Sequence, residues 1–420
     1  MSVTRSVVVL GILGILCAGV VALASRTPGS IRSDRPEAGA NDPARGATFT
    51  DEEIARHGRY RAPTYLTYAL QTLLAIAVLI VLARGPMARF AEWTGRWPGG
   101  WVTRAIACSI LVLLVTTLAS LPMAYVRGYA MEHAWGLSTQ DAGGWLSDVV
   151  RSLLVAAVTS AIAAVAFFGL VRWQPRSWWI WGWAAFSVLT AVLVFIWPVV
   201  VAPIFNKFTP LQDRALAGQI RTLAADAGID VNQVLVADAS RRTTAENAYV
   251  AGLGSTKRMV LYDTLLREGD DSQALFVAAH ELGHAHENHV LKNVAISSAA
   301  LLAGFGLLAL LARQDAIWSW AGASGIGDVR GLPVLLLFVA AAELAVLPVA
   351  NAVSRSFEAH ADRIAIELTD DPDAAVTSFR RLAYSNLADL RPPAPLVWLL
   401  YTHPPTVDRI RAVAGIEPAP

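Results

Sequence analysis

In the stretch "VAAHELGHAHENH", Val277 to His289, four of the chain's eight histidines crowd together. His280 and His284 are four apart, so a helix places both on one face, one turn from each other. Two imidazoles so placed can reach one zinc ion, with Glu281 projecting beside them as general base for a water. This is the H-E-x-x-H pattern of zinc peptidases. The competing reading is a polar collar where a soluble helix meets lipid. His286 and His289 point away from the His280/His284 face and read as solvent or interface groups. Glu287 lies too far along the helix to share the same ion.

A catalytic zinc needs a third protein ligand and an open position for water. "NAVSRSFEAHAD" offers Glu358 and Asp362, again four apart on one helical face. One carboxylate can bind the metal while the other accepts the second ring N–H of a liganding histidine and so fixes its tautomer. His360, on another face, is the alternative third ligand. "ENAYVAGLG" contributes Asn247, Ala248 and Tyr249, an extended segment whose free edge can take up a peptide as an added strand. "YTHPPTVDRIRA" carries His403 and Arg409, either of which can donate to the oxyanion formed when water attacks an amide.

The elements that must position these groups are membrane elements. The chain has 420 residues, is 55% hydrophobic and only 16% charged, with mean hydropathy +0.46. Soluble domains carry about a quarter charged residues. Net charge of +1 gives no reason to expect a nucleic-acid partner. Cys17 and Cys108 both fall inside apolar runs, so neither a disulfide scaffold nor a cysteine zinc site is expected. Seven runs are apolar enough to cross a bilayer: 7–24, 65–83, 105–124, 153–171, 178–201, 294–312 and 332–350. The first could be a secretory signal, but an intact helix is the simpler reading. Tryptophans near the ends of several runs form an interfacial belt.

The expected organisation is an N-terminal membrane region (1–205, five spans with a polar loop at 25–62), then a catalytic insertion (206–293). Two further spans (294–350) and a C-terminal soluble part (351–420) follow. Two crossings separate the insertion from the tail, so the histidine pair and the acidic pair share one side of the membrane. Within the insertion, "LAGQIRTLAADAGI" reads as an amphipathic helix, and "NQVLVADAS" and "KRMVLYDTLL" as strands. "SQALFVAAHELGHAHENHVLKN" reads as one helix running into the sixth span.

Taken in order, "EEIARHGRYR", "LPMAYVRGYAMEHAWGLSTQDAGGWLSD", "VAPIFNKFTPL", "ENAYVAGLGSTKRMVLYDTLL", "AAHELGHAHENH", "NAVSRSFEAHAD" and "YTHPPTVDRIRA" resemble the type I CAAX prenyl proteases. These are integral-membrane zinc metallopeptidases with seven spans. The resemblance implies zinc on His280, His284 and Glu358, Glu281 as base, and Asp362 supporting a liganding histidine. It also implies Asn247 holding substrate backbone, and His403 with Arg409 near the scissile carbonyl. The implied fold is mainly α: a polytopic helical barrel enclosing a watery chamber, with a zincin-like catalytic part and a small β-hairpin or sheet. Such a chamber would accommodate Glu343, a carboxylate deep in the seventh span. The stretch 27–46 departs from the family pattern.

The expected function is therefore a membrane-embedded zinc endopeptidase with one ion per chain, acting on membrane-associated, C-terminally lipidated peptides or on membrane proteins. The protein is expected to be a monomer in contact with membrane lipid, in a bacterial cell membrane with its catalytic side cytoplasmic. Two alternatives remain: an intramembrane protease of the site-2 type, whose zinc motif would lie inside an apolar span, and a zinc-free transporter or receptor with an incidental H-E-x-x-H.

Overall fold

A computed structural model describes residues 3–25, 49–252, 257–268 and 271–415. The stretch 27–46 and residues 253–256 lie outside them. Among the described residues the membrane helices are α1 (Val3–Ala24), α2 (Asp51–Ala83), α3 (Gly100–Ala134), α4 (Ala142–Trp173) and α5 (Trp178–Phe205). The stretch between α5 and the next membrane helix holds strand β1 (Phe208–Pro210), helix α6 (Arg214–Asp226), strands β2 (Gln233–Ala237), β3 (Ala248–Ala251) and β4 (Arg258–Tyr262), and helix α7 (Asp271–His286). Helices α8 (His289–Leu311) and α9 (Leu332–Thr369) return through the membrane. The tail adds α10 (Pro372–Ser385) and α11 (Thr406–Val413).

Six of these helices, α2 to α5, α8 and α9, are long and apolar enough to span a bilayer, whereas α1 contributes a shorter apolar stretch, Val8–Ala24. Helix α1 is nevertheless packed into the group: Leu10 and Val21 are buried, and Gly14 sits directly against the Ala119 carbonyl of α3. Only 6% of the apolar window of α5 and 11% of that of α8 is buried. A solid bundle would bury one face of every helix; these values fit a wall one helix thick around a chamber. Glu343, mid-span in α9, is exposed. A carboxylate at that depth requires water or a polar partner, since hydrocarbon would deny it hydration.

Helices α2 and α9 are much longer than a single bilayer crossing needs. The segment "DEEIARHGRYR" is not a separate element but the first turns of α2, started by a capping box in which Thr50 and Glu53 exchange hydrogen bonds. Helix α9 likewise runs on without a break from the last span through Glu358 and Asp362. Both carboxylates are thus borne on a continuation of a membrane helix.

The sheet has the order β1-β2-β4-β3. The two sequence-predicted strands, β2 and β4, pair in parallel, and β3 pairs antiparallel with β4 at the edge. Its inner face packs with α6 and α7 into one core that includes Ile220, Met259, Leu261 and Leu282. The expected continuous helix from the insertion into the membrane is broken. Asn288 adopts a left-handed conformation (φ 54°) between α7 and α8, a state asparagine tolerates better than most residues.

Candidate metal centre

Helices α7 and α9 carry the site and lie unusually close together. A Cβ placed on Gly283, in the middle of the H-E-L-G-H motif, would come 3.0 Å from both Cα and O of Ala361. Only glycine permits that approach. Ala279, Ala361 and Ala365, all fully buried, extend the small-residue seam. The seam brings Glu358 opposite the two histidines.

His280 Nε2 and His284 Nε2 are 3.2 Å apart. Glu358 Oε2 lies 3.4 Å from the first and its Oε1 lies 3.3 Å from the second. Ligands about 2.0–2.1 Å from a tetrahedral ion stand about 3.3–3.4 Å from each other, so the two Nε2 atoms lie close to one tetrahedral edge, and the Glu358 carboxylate, which turns a different oxygen toward each nitrogen, closes the site on the third side. Glu358 Oε2 is buried with no hydrogen-bond donor, an arrangement that a cation would satisfy. The described residues therefore fit a zinc ion, and two nitrogens with one oxygen is a donor set that zinc accepts.

The surrounding groups hold these ligands in place. His280 Nδ1 is 2.8 Å from Asp362 Oδ1. Asp362 is in turn clamped by Arg409, whose Nε and Nη2 donate to Oδ2 and Oδ1 at 2.8 and 2.6 Å. The Arg409 guanidinium rests over the Phe379 ring, and its Nη2 is 3.8 Å from Glu358 Oε2. Burial pulls the pKa of His280 down, but the hydrogen bonds of Asp362 and Glu358 outweigh it and push the group up to about 9. Burial raises the Glu281 carboxyl above its ordinary value, and the neighbouring His280 and His284 oppose that rise. A carboxyl tuned upward in this way suits proton transfer near neutral pH.

His403 reaches the rim: its Nε2 is 3.4 Å from Glu358 Oε1 and its side chain is 58% exposed. Its Nδ1 is paired with the Thr402 hydroxyl at 2.9 Å. Asn247, Ala248 and Tyr249 enter and form the edge strand β3, which packs against α7. The Ala248 side chain is buried in the core, so only its backbone can meet a peptide. The start of this strand is pinned by Arg381, which donates to Glu246 Oε1 at 2.9 and 3.0 Å, and by Asn386, which accepts from Glu246 N.

The structure does not bring His360 to the site; it is exposed, with Nδ1 at the Ser356 carbonyl. Glu287 pairs with Lys292, and His286 Nδ1 lies against the Ala227 carbonyl. His289 behaves differently from the sequence reading. The turn at Asn288 swings it back, so that its Nδ1 sits 2.9 Å from His284 Nδ1 while its ring stacks on Phe357. Each metal-facing imidazole thus has its own partner on the far ring nitrogen: Asp362 for His280 and His289 for His284. Helical periodicity alone hid this, because it assumes the helix continues.

The metal motif lies on α7, ahead of the apolar span α8 and outside all six membrane windows, unlike the site-2 arrangement. Comparison with known proteins agrees. The pattern described as Peptidase family M48 matches residues 210–417, and that described as CAAX prenyl protease N-terminal, five membrane helices, matches residues 43–207. The chain is 33% identical to the uncharacterized metalloprotease YhfN of Bacillus subtilis over 81% of this chain and 80% of that one. It is 29% identical to a CAAX prenyl protease 1 homolog of Arabidopsis thaliana over 72% of each. The crystal structure of S. mikatae Ste24p superposes with a TM-score of 0.75 over 97% of this chain and 98% of that one, at 21% identity, and so shares the fold. The chain belongs to peptidase family M48, and it is an integral-membrane, multi-pass metalloendopeptidase.

Proposed function

We propose that the protein is a zinc-dependent endopeptidase that cleaves extended, membrane-associated peptides with lipidated C-termini. The observation that carries this reading is the convergence of His280, His284 and Glu358, with the two Nε2 atoms 3.2 Å apart and a Glu358 oxygen within 3.4 Å of each. One zinc ion per chain, held by these residues, would supply Lewis acidity that makes a water nucleophilic near neutral pH. Glu281 takes a proton from the attacking water and returns it to the leaving amine. His403, exposed at the rim, donates to the oxyanion. Arg409 acts through Asp362, which orients His280. The substrate backbone aligns along β3, with Asn247 at its start, as a further antiparallel strand.

Lipidation of the substrate is supported by relatives named CAAX prenyl protease 1. The enzyme works as a monomer in a bacterial cell membrane. The catalytic side faces the cytoplasm, where the Lys and Arg flanking the spans are in mild excess.

The test is Glu281→Gln in purified, membrane-reconstituted protein, assayed on farnesylated and unmodified versions of one peptide. The variant should hold zinc at the wild-type level while cleavage falls about 10²–10⁴-fold. A variant that cleaves at the wild-type rate would overturn the mechanism. Equal cleavage of both peptides by the wild type would overturn the lipidated-substrate assignment alone.

A further inference from the structure

On the side of the membrane away from the metal centre, the turns that follow α2, α4 and α8 meet around a cavity of about 600 Å³. Four arginines line it, Arg96, Arg104, Arg172 and Arg330, against two acids, Glu92 and Asp328. Asp328 is already engaged, receiving Arg330 Nε and Nη2 at 2.8 and 2.5 Å. Among the described residues Arg96, Arg104 and Arg172 have no carboxylate partner. Glu92 offsets at most one of these three charges, so the cavity keeps a positive excess that favours an anion.

Two details show that the cavity is shaped around these groups. Arg104 Nε is buried without a hydrogen-bond partner, and its Nη2 lies so near Gly95 that a Cβ there would come within 2.7 Å. The Arg172 guanidinium is held over the Trp101 ring, 5.4 Å from its centroid. The depth is informative too. Exposed Trp93, Trp97, Trp173 and Trp320 surround this end of the molecule, as at the level of lipid head groups. Guanidinium forks match phosphate oxygens pairwise, and basic pockets among membrane helices take lipid head groups.

We propose that this cavity binds the phosphate of an anionic phospholipid, held by Arg96, Arg104 and Arg172, in the leaflet remote from the metal centre. The lipid would brace the turns between α2 and α3 and between α8 and α9, which both line the cavity.

The test uses the full chain in detergent, with native mass spectrometry after addition of short-chain phosphatidylglycerol, short-chain phosphatidylcholine or inorganic phosphate. One phosphatidylglycerol should be retained, about tenfold more tightly than phosphatidylcholine, and inorganic phosphate should not displace it at equal concentration. Arg104→Gln and Arg172→Gln should each weaken retention about tenfold, whereas Arg84→Gln, outside the lining, should not. Gly95 has an ordinary helical backbone (φ −61°), so Gly95→Ala keeps the fold but displaces the Arg104 fork. It should weaken retention with zinc content unchanged. Equal retention of the two lipids, or unaltered retention by both the arginine and the glycine variants, would overturn the proposal. Displacement by inorganic phosphate would overturn the lipid assignment in favour of a free-anion site.

Discussion

Gly283→Ala tests whether the distance between two helices sets the metal geometry. The added Cβ would stand 3.0 Å from Ala361 Cα and O and 3.3 Å from Ile364 Cβ, where ordinary contacts begin at 3.4 Å. All of these neighbours are backbone or short, branched groups that cannot swing away, so α7 and α9 must part by about 0.4 Å at this level. His280 and His284 sit on one helix and Glu358 on the other, so the parting falls directly on the 3.3 and 3.4 Å edges. Zinc tolerates about 0.2 Å of error in its ligand distances. The overpacking itself should cost about 1–3 kcal/mol. We expect zinc affinity, read by competition with a chromophoric chelator, to fall about 10–100-fold, and thermal stability to drop with it. Gly218→Ala on α6, where a Cβ meets nothing within 4 Å, is the control and should bind zinc normally with equal or greater stability. If Gly283→Ala bound zinc as tightly as the wild type, the close seam would not be what positions Glu358.

The two ring supports should differ in strength. Asp362→Asn removes a charged partner from His280 and a clamp from Arg409, so zinc affinity should fall about 10–100-fold; His289→Ala removes a neutral partner of His284 and should cost less. Equal or absent losses on chelator titration would contradict the assigned contacts. In the metal-free protein His280 is pushed up to about 9, so below that pH it holds a proton that zinc must displace. Apparent zinc affinity should therefore rise about tenfold per pH unit as pH increases from 6.5 to 8.5, and a flat profile would show that His280 is not proton-occupied.

The grouping of the candidate ligands was legible in the sequence because they obey a local rule. Two residues four apart on a helix share a face, and both the histidine pair and the Glu358/Asp362 pair satisfy it. The membrane helices were legible for a similar reason, since apolar length needs no tertiary information. Three features were not. The reversal that returns His289 to His284 depends on one left-handed residue, Asn288, which leaves no trace in periodicity. The parallel pairing of β2 with β4, which leaves β3 at the edge, is a non-local choice of register that strand propensity does not encode. The bidentate grip of Arg409 on Asp362 joins residues from two different helices, and only the fold brings them together.

X-ray absorption at the zinc edge, on wild-type protein and on Glu358→Gln, tests the central claim most directly. The wild type should show two imidazole nitrogens and carboxylate oxygen at about 2.0–2.2 Å, with Glu358→Gln losing the ion or the carboxylate contribution. A first shell without paired imidazoles, or one unchanged by Glu358→Gln, would contradict the assignment of the metal centre.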